Sequence, residues 1–263
     1  MNYLKAIGVP FEMICSNYTV LFKSEFLERK FVHSMQGNRA FACFAKLKSD
    51  LDKKQKPDID MNDISYFVHD FKLNEYVGNV VNIDLKSAYA TVLYRDGYIS
   101  KGTFEYICKG TKQERLTSVG MLASKKQHFT FDKGSITGVK EIISPYSNYF
   151  FYCVKRTAEI MADLKEIAGN SYLFTWVDGI YIRPSTNTVE QMQKYIIQLN
   201  YNYSTEQLRN FEVKIKPKFV TVSFEKYSKG KWIEKPFNLP HANTEFKRLI
   251  VDAILSRKLK VNK

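Results

Sequence analysis

Cysteine is scarce in this chain of 263 residues: Cys15, Cys43, Cys108 and Cys153 are all there is. They lie far apart, with neither the paired spacing of a zinc site nor the density of a disulfide scaffold. That excludes a cysteine-stapled module and points to reduced thiols in a cytoplasmic setting. Histidine is equally sparse, and His33, His69, His128 and His241 show no metal-ligand or nucleophile-base spacing. Long apolar runs are also missing. No stretch reaches the length of a membrane span, and no basic start, apolar core and small-residue cleavage site marks a leader. The expectation is a soluble intracellular protein with no membrane partner.

Acid is in deficit too. Lys and Arg outnumber Asp and Glu by 40 to 27, leaving a net charge of +13, a balance that favours partners with phosphate backbones through counterion release. The excess is concentrated late, since residues 203–263 carry fourteen Lys/Arg against six Asp/Glu. What is plentiful is core material: the chain is 44% hydrophobic and 14% aromatic, enough for one substantial core or a core with a small appended lobe.

Two short segments carry the chemistry. Val77–Leu85 is a β-branched run ending Asn82-Ile83-Asp84-Leu85, followed by Ser87-Ala-Tyr-Ala-Thr-Val-Leu-Tyr94, whose spacing predicts a helix closing near Asp96-Gly97. Ser87 is a candidate cap for that helix. The strand-to-helix turn around Ser87 and Ala88 aims backbone N–H groups past the strand end, a favourable place for a triphosphate beside a carboxylate. Read alone, Asp84 serves equally well as a cap.

The second segment joins Tyr172-Leu-Phe-Thr-Trp-Val177 to Ile180-Tyr-Ile182 across Asp178-Gly179, a strong hairpin signal that puts the aspartate at the tip. Such a turn can exist for its backbone geometry alone. Upstream, Phe150, Val154, Ala158, Met161 and Leu164 predict a helix over about 149–167, stopped at Gly169-Asn170. Two aspartates on rigid strand ends are what two-metal phosphoryl transfer requires.

These residues resemble the palm of the family B DNA polymerases. Asp84-Leu-Lys-Ser87-Ala-Tyr89-Ala-Thr91 is similar to the family motif Asp-x-x-Ser-Leu-Tyr-Pro-Ser, and Phe174-Thr-Trp-Val-Asp178-Gly179 to Tyr-x-Asp-Thr-Asp-Ser. The resemblance implies two Mg²⁺ or Mn²⁺ ions on Asp84, Asp178 and the Leu85 carbonyl, and a nucleotide site at Ser87, Ala88 and Tyr89, with Tyr89 as the steric gate against a 2′-hydroxyl. Trp176 departs from the pattern, standing where the family has another aspartate. Lys112-Gln-Glu-Arg115-Leu-Thr-Ser-Val-Gly120 resembles a worn copy of the fingers motif Lys-x-x-x-Asn-Ser-x-Tyr-Gly. Lys112 and Arg115 are thereby candidate triphosphate ligands, or simply an exposed basic helix. Lys216–Trp232 resembles the family's Lys-x-Tyr motif, which offers Lys218, Lys226, Tyr227, Lys229 and Lys231 to the primer strand.

The resemblance spans about 77–232 and implies an α+β fold: an antiparallel palm sheet backed by helices, short fingers over about 105–135, and a small basic helical thumb-like lobe over 233–263, including a helix near 244–260. Residues 1–76 carry no readable role. Glu25–Lys30 looks helical, and Lys48–Asp63 reads as an exposed loop in which Asp58-Ile-Asp60 is a solvated acidic pair. The expected function is a minimal DNA-directed DNA polymerase without a proofreading exonuclease, acting on primer-template and dNTPs. An accessory replication protein or a split subunit is a further expected partner, and the compactness suits a virus or phage working in a host cytoplasm. The rivals are a catalytically idle palm that binds nucleic acid and a two-metal nuclease.

Overall fold

The computed structural model describes residues 10–15, 19–25, 28–32, 38–59, 76–133, 135–215, 219–235 and 237–240. The strands, in chain order, are β1 (Phe11–Cys15), β2 (Thr19–Ser24), β3 (Glu28–Val32), β4 (Val77–Leu85), β5 (Lys125–Asp132), β6 (Ser135–Ile143), β7 (Tyr172–Trp176), β8 (Gly179–Ile182), β9 (Tyr203–Ile215), β10 (Phe219–Ser228), β11 (Lys231–Glu234) and β12 (Phe237–Pro240). Six α-helices are present among the described residues: Asn38–Leu51, Ala88–Arg95, Lys101–Cys108, Lys112–Gly120, Ser147–Ala168 and Thr186–Gln198. The fold is α+β with two antiparallel sheets.

The chain divides into two compact units, Met1–Asp58 with Leu93–Phe151 and Ile59–Val92 with Tyr152–Lys263. The segment Leu93–Phe151, between the two aspartate motifs, shares a unit with the N-terminal residues.

The first unit holds the sheet β3-β2-β1-β5-β6 and the packed helices Asn38–Leu51, Lys101–Cys108 and Lys112–Gly120. Two local expectations are corrected there. Residues 28–32 form an edge strand rather than a helix, because a short segment gains little from an isolated helical turn and here finds an antiparallel ladder on β2. Residues 48–51 extend the helix Asn38–Leu51 instead of opening a loop. Ala40, Cys43, Leu47 and Leu51 recur at helical spacing and are all buried, which keeps the last turn in place.

The second unit holds the sheet β11-β10-β9-β4-β8-β7, with β12 paired to β10. Successive side chains of a strand point to opposite faces. On one face Val81, Ile83, Leu85, Ile180 and Ile182 form a buried cluster with Ile160, Met161 and Leu164 of the helix Ser147–Ala168 and Met192 and Ile196 of the helix Thr186–Gln198. On the other, Val80, Phe174, Leu208, Phe211, Val213, Val222 and Phe224 make a second cluster. Phe174 stacks on Tyr181 at 4.1 Å and tilts toward Phe211 at 5.9 Å.

Residues 231–234 and 237–240 are strands, which corrects the expectation of a helical lobe at those residues. Lys229 and Gly230 both take positive φ (51° and 81°), the geometry of a tight two-residue hairpin that turns β10 back into β11. The helix expected near 244–260, Asp60 and Lys218 lie outside the described residues. No helix among the described residues is long and apolar enough to cross a membrane.

Candidate metal centre

Asp84 is the penultimate residue of β4, which pairs with β8 on one side and β9 on the other. The alternation that buries Ile83 and Leu85 against the helices sends Asp84 and Asn82 to the opposite face. Register then decides their neighbours: Asp84 faces Gly179 and Ser204, while Asn82 faces Tyr181 and Glu206.

Asp178 reaches the same neighbourhood from the β7–β8 hairpin. Trp176 pairs with Gly179, so the two-residue loop is Val177-Asp178 and not Asp178-Gly179. The aspartate is at the tip as expected, but the residue with left-handed backbone is Val177, at φ 54°. A β-branched side chain there is strained, a condition usually tolerated only where surrounding structure demands it. One such demand is visible, because the Leu85 N–H donates to the Asp178 carbonyl at 2.9 Å. That bond ties the hairpin tip to the end of β4.

Gly179 has a different reason from the one its sequence context suggests. Its φ is not positive, so the turn does not require it. A Cβ at this position would instead lie 3.1 Å from Asp84 Oδ1, 3.3 Å from Asn82 Oδ1 and 3.6 Å from the Trp176 carbonyl oxygen. Glycine leaves open a small recess whose nearest atoms are three oxygens.

The electrostatics agree with the register. Burial first, then the charges of Asp84, Glu206 and Asp178, push the Tyr181 phenol far above its ordinary range, so it stays protonated at any physiological pH. The phenol thus registers three carboxylates on this end of the sheet. Glu206 is engaged elsewhere: its Oε1 accepts from Lys226 Nζ at 2.6 Å.

Among the described residues no group of three or more His, Cys, Asp or Glu is assembled to hold a metal ion. Asp84 and Asp178 supply two carboxylates, and oxygen donors of this kind suit a hard divalent cation. The oxygen-lined recess over Gly179 and the acceptor-rich surroundings fit such an ion.

The nucleotide candidates divide between the units. Ser87 follows Asp84 through a turn, takes φ 53° and accepts the Thr91 N–H at its carbonyl at 2.9 Å. It therefore opens the helix Ala88–Arg95 from a left-handed backbone, where an ordinary cap is extended. Ala88 is buried in the helix-side cluster, and Tyr89 packs half-buried against it while its carbonyl accepts from Cys153 Sγ. Lys112 and Arg115 belong to the first unit. They share the helix Lys112–Gly120, opened by a capping box between Thr111 and Glu114. Lys112 is exposed, and the Arg115 guanidinium donates to the Gly110 carbonyl at 2.6 Å.

Of the basic ribbon, Lys226 is paired with Glu206, whereas Tyr227, Lys229 and Lys231 are exposed at the β10–β11 hairpin. Tyr227 meets Trp232 edge-on at 5.4 Å, and the Arg209 guanidinium lies 4.0 Å from the Trp232 ring centroid.

Asn82, Tyr181 and Glu206 are the site residues that sequence reasoning missed. Asn82 had a signal: it is the one polar residue in Val80-Val-Asn-Ile83, two positions before Asp84 and so on its face. The other two depend on strand register and left no local mark.

No protein-family model matches the chain, and no curated protein matches it significantly.

Proposed function

We propose that this protein is a palm-type nucleotidyltransferase, a minimal DNA polymerase of family B type that adds dNMP to a 3′-hydroxyl. The observation that carries the reading is the meeting of Asp84 and Asp178 on neighbouring antiparallel strands, one at a strand end and one at a hairpin tip bonded to it. Divalent ions held there supply charge neutralisation at the attacking and leaving oxygens. Asp84 and Asp178 hold and orient them, with the Leu85 carbonyl as a further donor. Tyr89 excludes the 2′-hydroxyl, the N–H groups at Ser87 and Ala88 face the triphosphate, and Lys112 and Arg115 bind its phosphates. The last assignment rests on the motif resemblance.

Trp176 supports a second reading, an idle palm that binds nucleic acid, because it removes an acid that the polymerase motif carries. Extension of a labelled primer on a DNA template with dNTPs and Mg²⁺ or Mn²⁺ separates the two. Template-directed extension by the wild type, lowered at least about a hundredfold in Asp178→Asn, is the expected result; loss of transition-state stabilisation of about 3 kcal/mol corresponds to that factor. Salt-sensitive DNA binding without extension would favour the idle palm, and primer shortening independent of dNTPs would favour a nuclease.

A further inference from the structure

We propose that Asn82 is a protein ligand of the same cation site, its amide oxygen acting beside Asp84 over Gly179. The inference rests on the reading of Asp84 and Asp178 as cation ligands and adds a residue that the motif resemblance does not supply. Asn82 lies on β4 within an otherwise apolar run and is only 7% exposed. Its Oδ1 is buried with no hydrogen-bond partner. A buried acceptor without a donor costs about 1–3 kcal/mol, and a leucine or valine would fill the position without that cost. Its presence on an apolar strand calls for something that satisfies the oxygen.

The surroundings say what that something is. The recess over Gly179 has Asp84 Oδ1, Asn82 Oδ1 and the Trp176 carbonyl oxygen as its nearest atoms, at 3.1, 3.3 and 3.6 Å from the position a Cβ would take. Three oxygens converging on one space attract a cation. Neutral amide oxygens and backbone carbonyls are ordinary ligands of hard divalent ions when they accompany a carboxylate. Lys226, which pairs across the sheet with Leu208, has its ammonium held by Glu206.

The test is Mn²⁺ binding to the full chain, followed by calorimetry and by the electron paramagnetic resonance of free Mn²⁺, with folding checked by circular dichroism. Asn82→Ala should weaken Mn²⁺ binding about tenfold or more, within the range for losing a supporting group at a metal site. Asn82→Asp should bind at least as tightly as the wild type, because a carboxylate offers the same oxygen with added charge. If Asn82 instead steadies Asp84 through its NH₂ group, Asn82→Asp will weaken binding as Asn82→Ala does, and the proposal is overturned. Unchanged binding in Asn82→Ala overturns it too, while Asp84→Asn still abolishing binding leaves the carboxylate reading intact. Binding undiminished in Asp84→Asn, or no saturable binding by the wild type, removes both.

Discussion

At the residue scale, Gly179 separates two explanations of a glycine. A turn glycine is needed for its backbone, and replacing it costs stability. Gly179 has an ordinary β backbone, and what it lacks is a side chain that would press on Asp84 Oδ1 and Asn82 Oδ1 at 3.1 and 3.3 Å. Alanine lowers the entropy of the unfolded chain and suits a strand better, a gain of up to about 1 kcal/mol that offsets the crowding. Gly179→Ala should therefore keep the unfolding free energy from urea titration within about 1 kcal/mol of wild type while weakening Mn²⁺ binding and primer extension together. A large loss of stability with the site unaffected would return Gly179 to the status of a turn residue. Val177 is the opposite case: its left-handed backbone, strained for a β-branched residue, lies one position before Asp178 and holds the loop that presents it.

At the element scale, helix starts are built from named contacts, and one of them makes stability depend on pH. Burial alone would raise the Asp50 carboxyl, but bonds from the Ser100 N–H, the Thr103 hydroxyl and the Ser100 hydroxyl, with the charge of Lys53, outweigh it and bring it below its ordinary value. Both Ser100 bonds are 2.8 Å, and Ser100 in turn caps the helix Lys101–Cys108. A carboxyl with a depressed folded value contributes stability that is fully present above its unfolded value and is lost as pH falls through the folded value. Asp50→Asn should cost about 1 kcal/mol at neutral pH, the exposure of the pair holding it low. The difference from wild type should shrink as pH falls toward and through the depressed value, which urea titrations at pH 7 and pH 3 measure. An equal difference at both would assign the contact to shape and not charge. Elements with strong local patterns were legible in sequence: Val77–Leu85 as a β-branched run, the helix Ser147–Ala168 from its 3.6 period, the β7–β8 hairpin from its Asp-Gly. The strand β9 was not, because its opening run Ser204-Thr-Glu-Gln207 is polar throughout and a bulge near Asn210, at φ 51°, breaks the alternation that follows. The same limit governs the site. Two aspartates at strand ends were readable, and Asn82 carried a signal on the same strand, but the company of Tyr181 and Glu206 is created by register across β8, β4 and β9, which short-range spacing does not encode.

At the scale of the whole molecule, a net charge of +13 supplies a field that any phosphate backbone will feel, but which lysines touch the backbone is a local question. Lys226 is a weak candidate on the structure's own terms, since its ammonium sits 2.6 Å from Glu206 Oε1 and binding a phosphate would mean exchanging one anion for another. Lys229 and Lys231 are exposed at the tip of the β10–β11 hairpin, beside Tyr227 and Trp232, whose ring faces suit stacking on a base. Each lysine that neutralises a duplex phosphate steepens the dependence of log K on log salt by about 0.9. The double variant Lys229→Ala/Lys231→Ala should thus flatten that slope by about 2 in fluorescence-anisotropy titrations of duplex DNA between low and physiological salt, whereas Lys226→Ala should leave it nearly unchanged. The contrast tests position and not mere basicity, because removing any two of forty cations lowers the overall field by nearly the same amount. If the slope falls equally whichever lysines are removed, the hairpin is not the contact and binding is a property of the summed charge; if it falls only for Lys229 and Lys231, the β10–β11 hairpin grips the backbone.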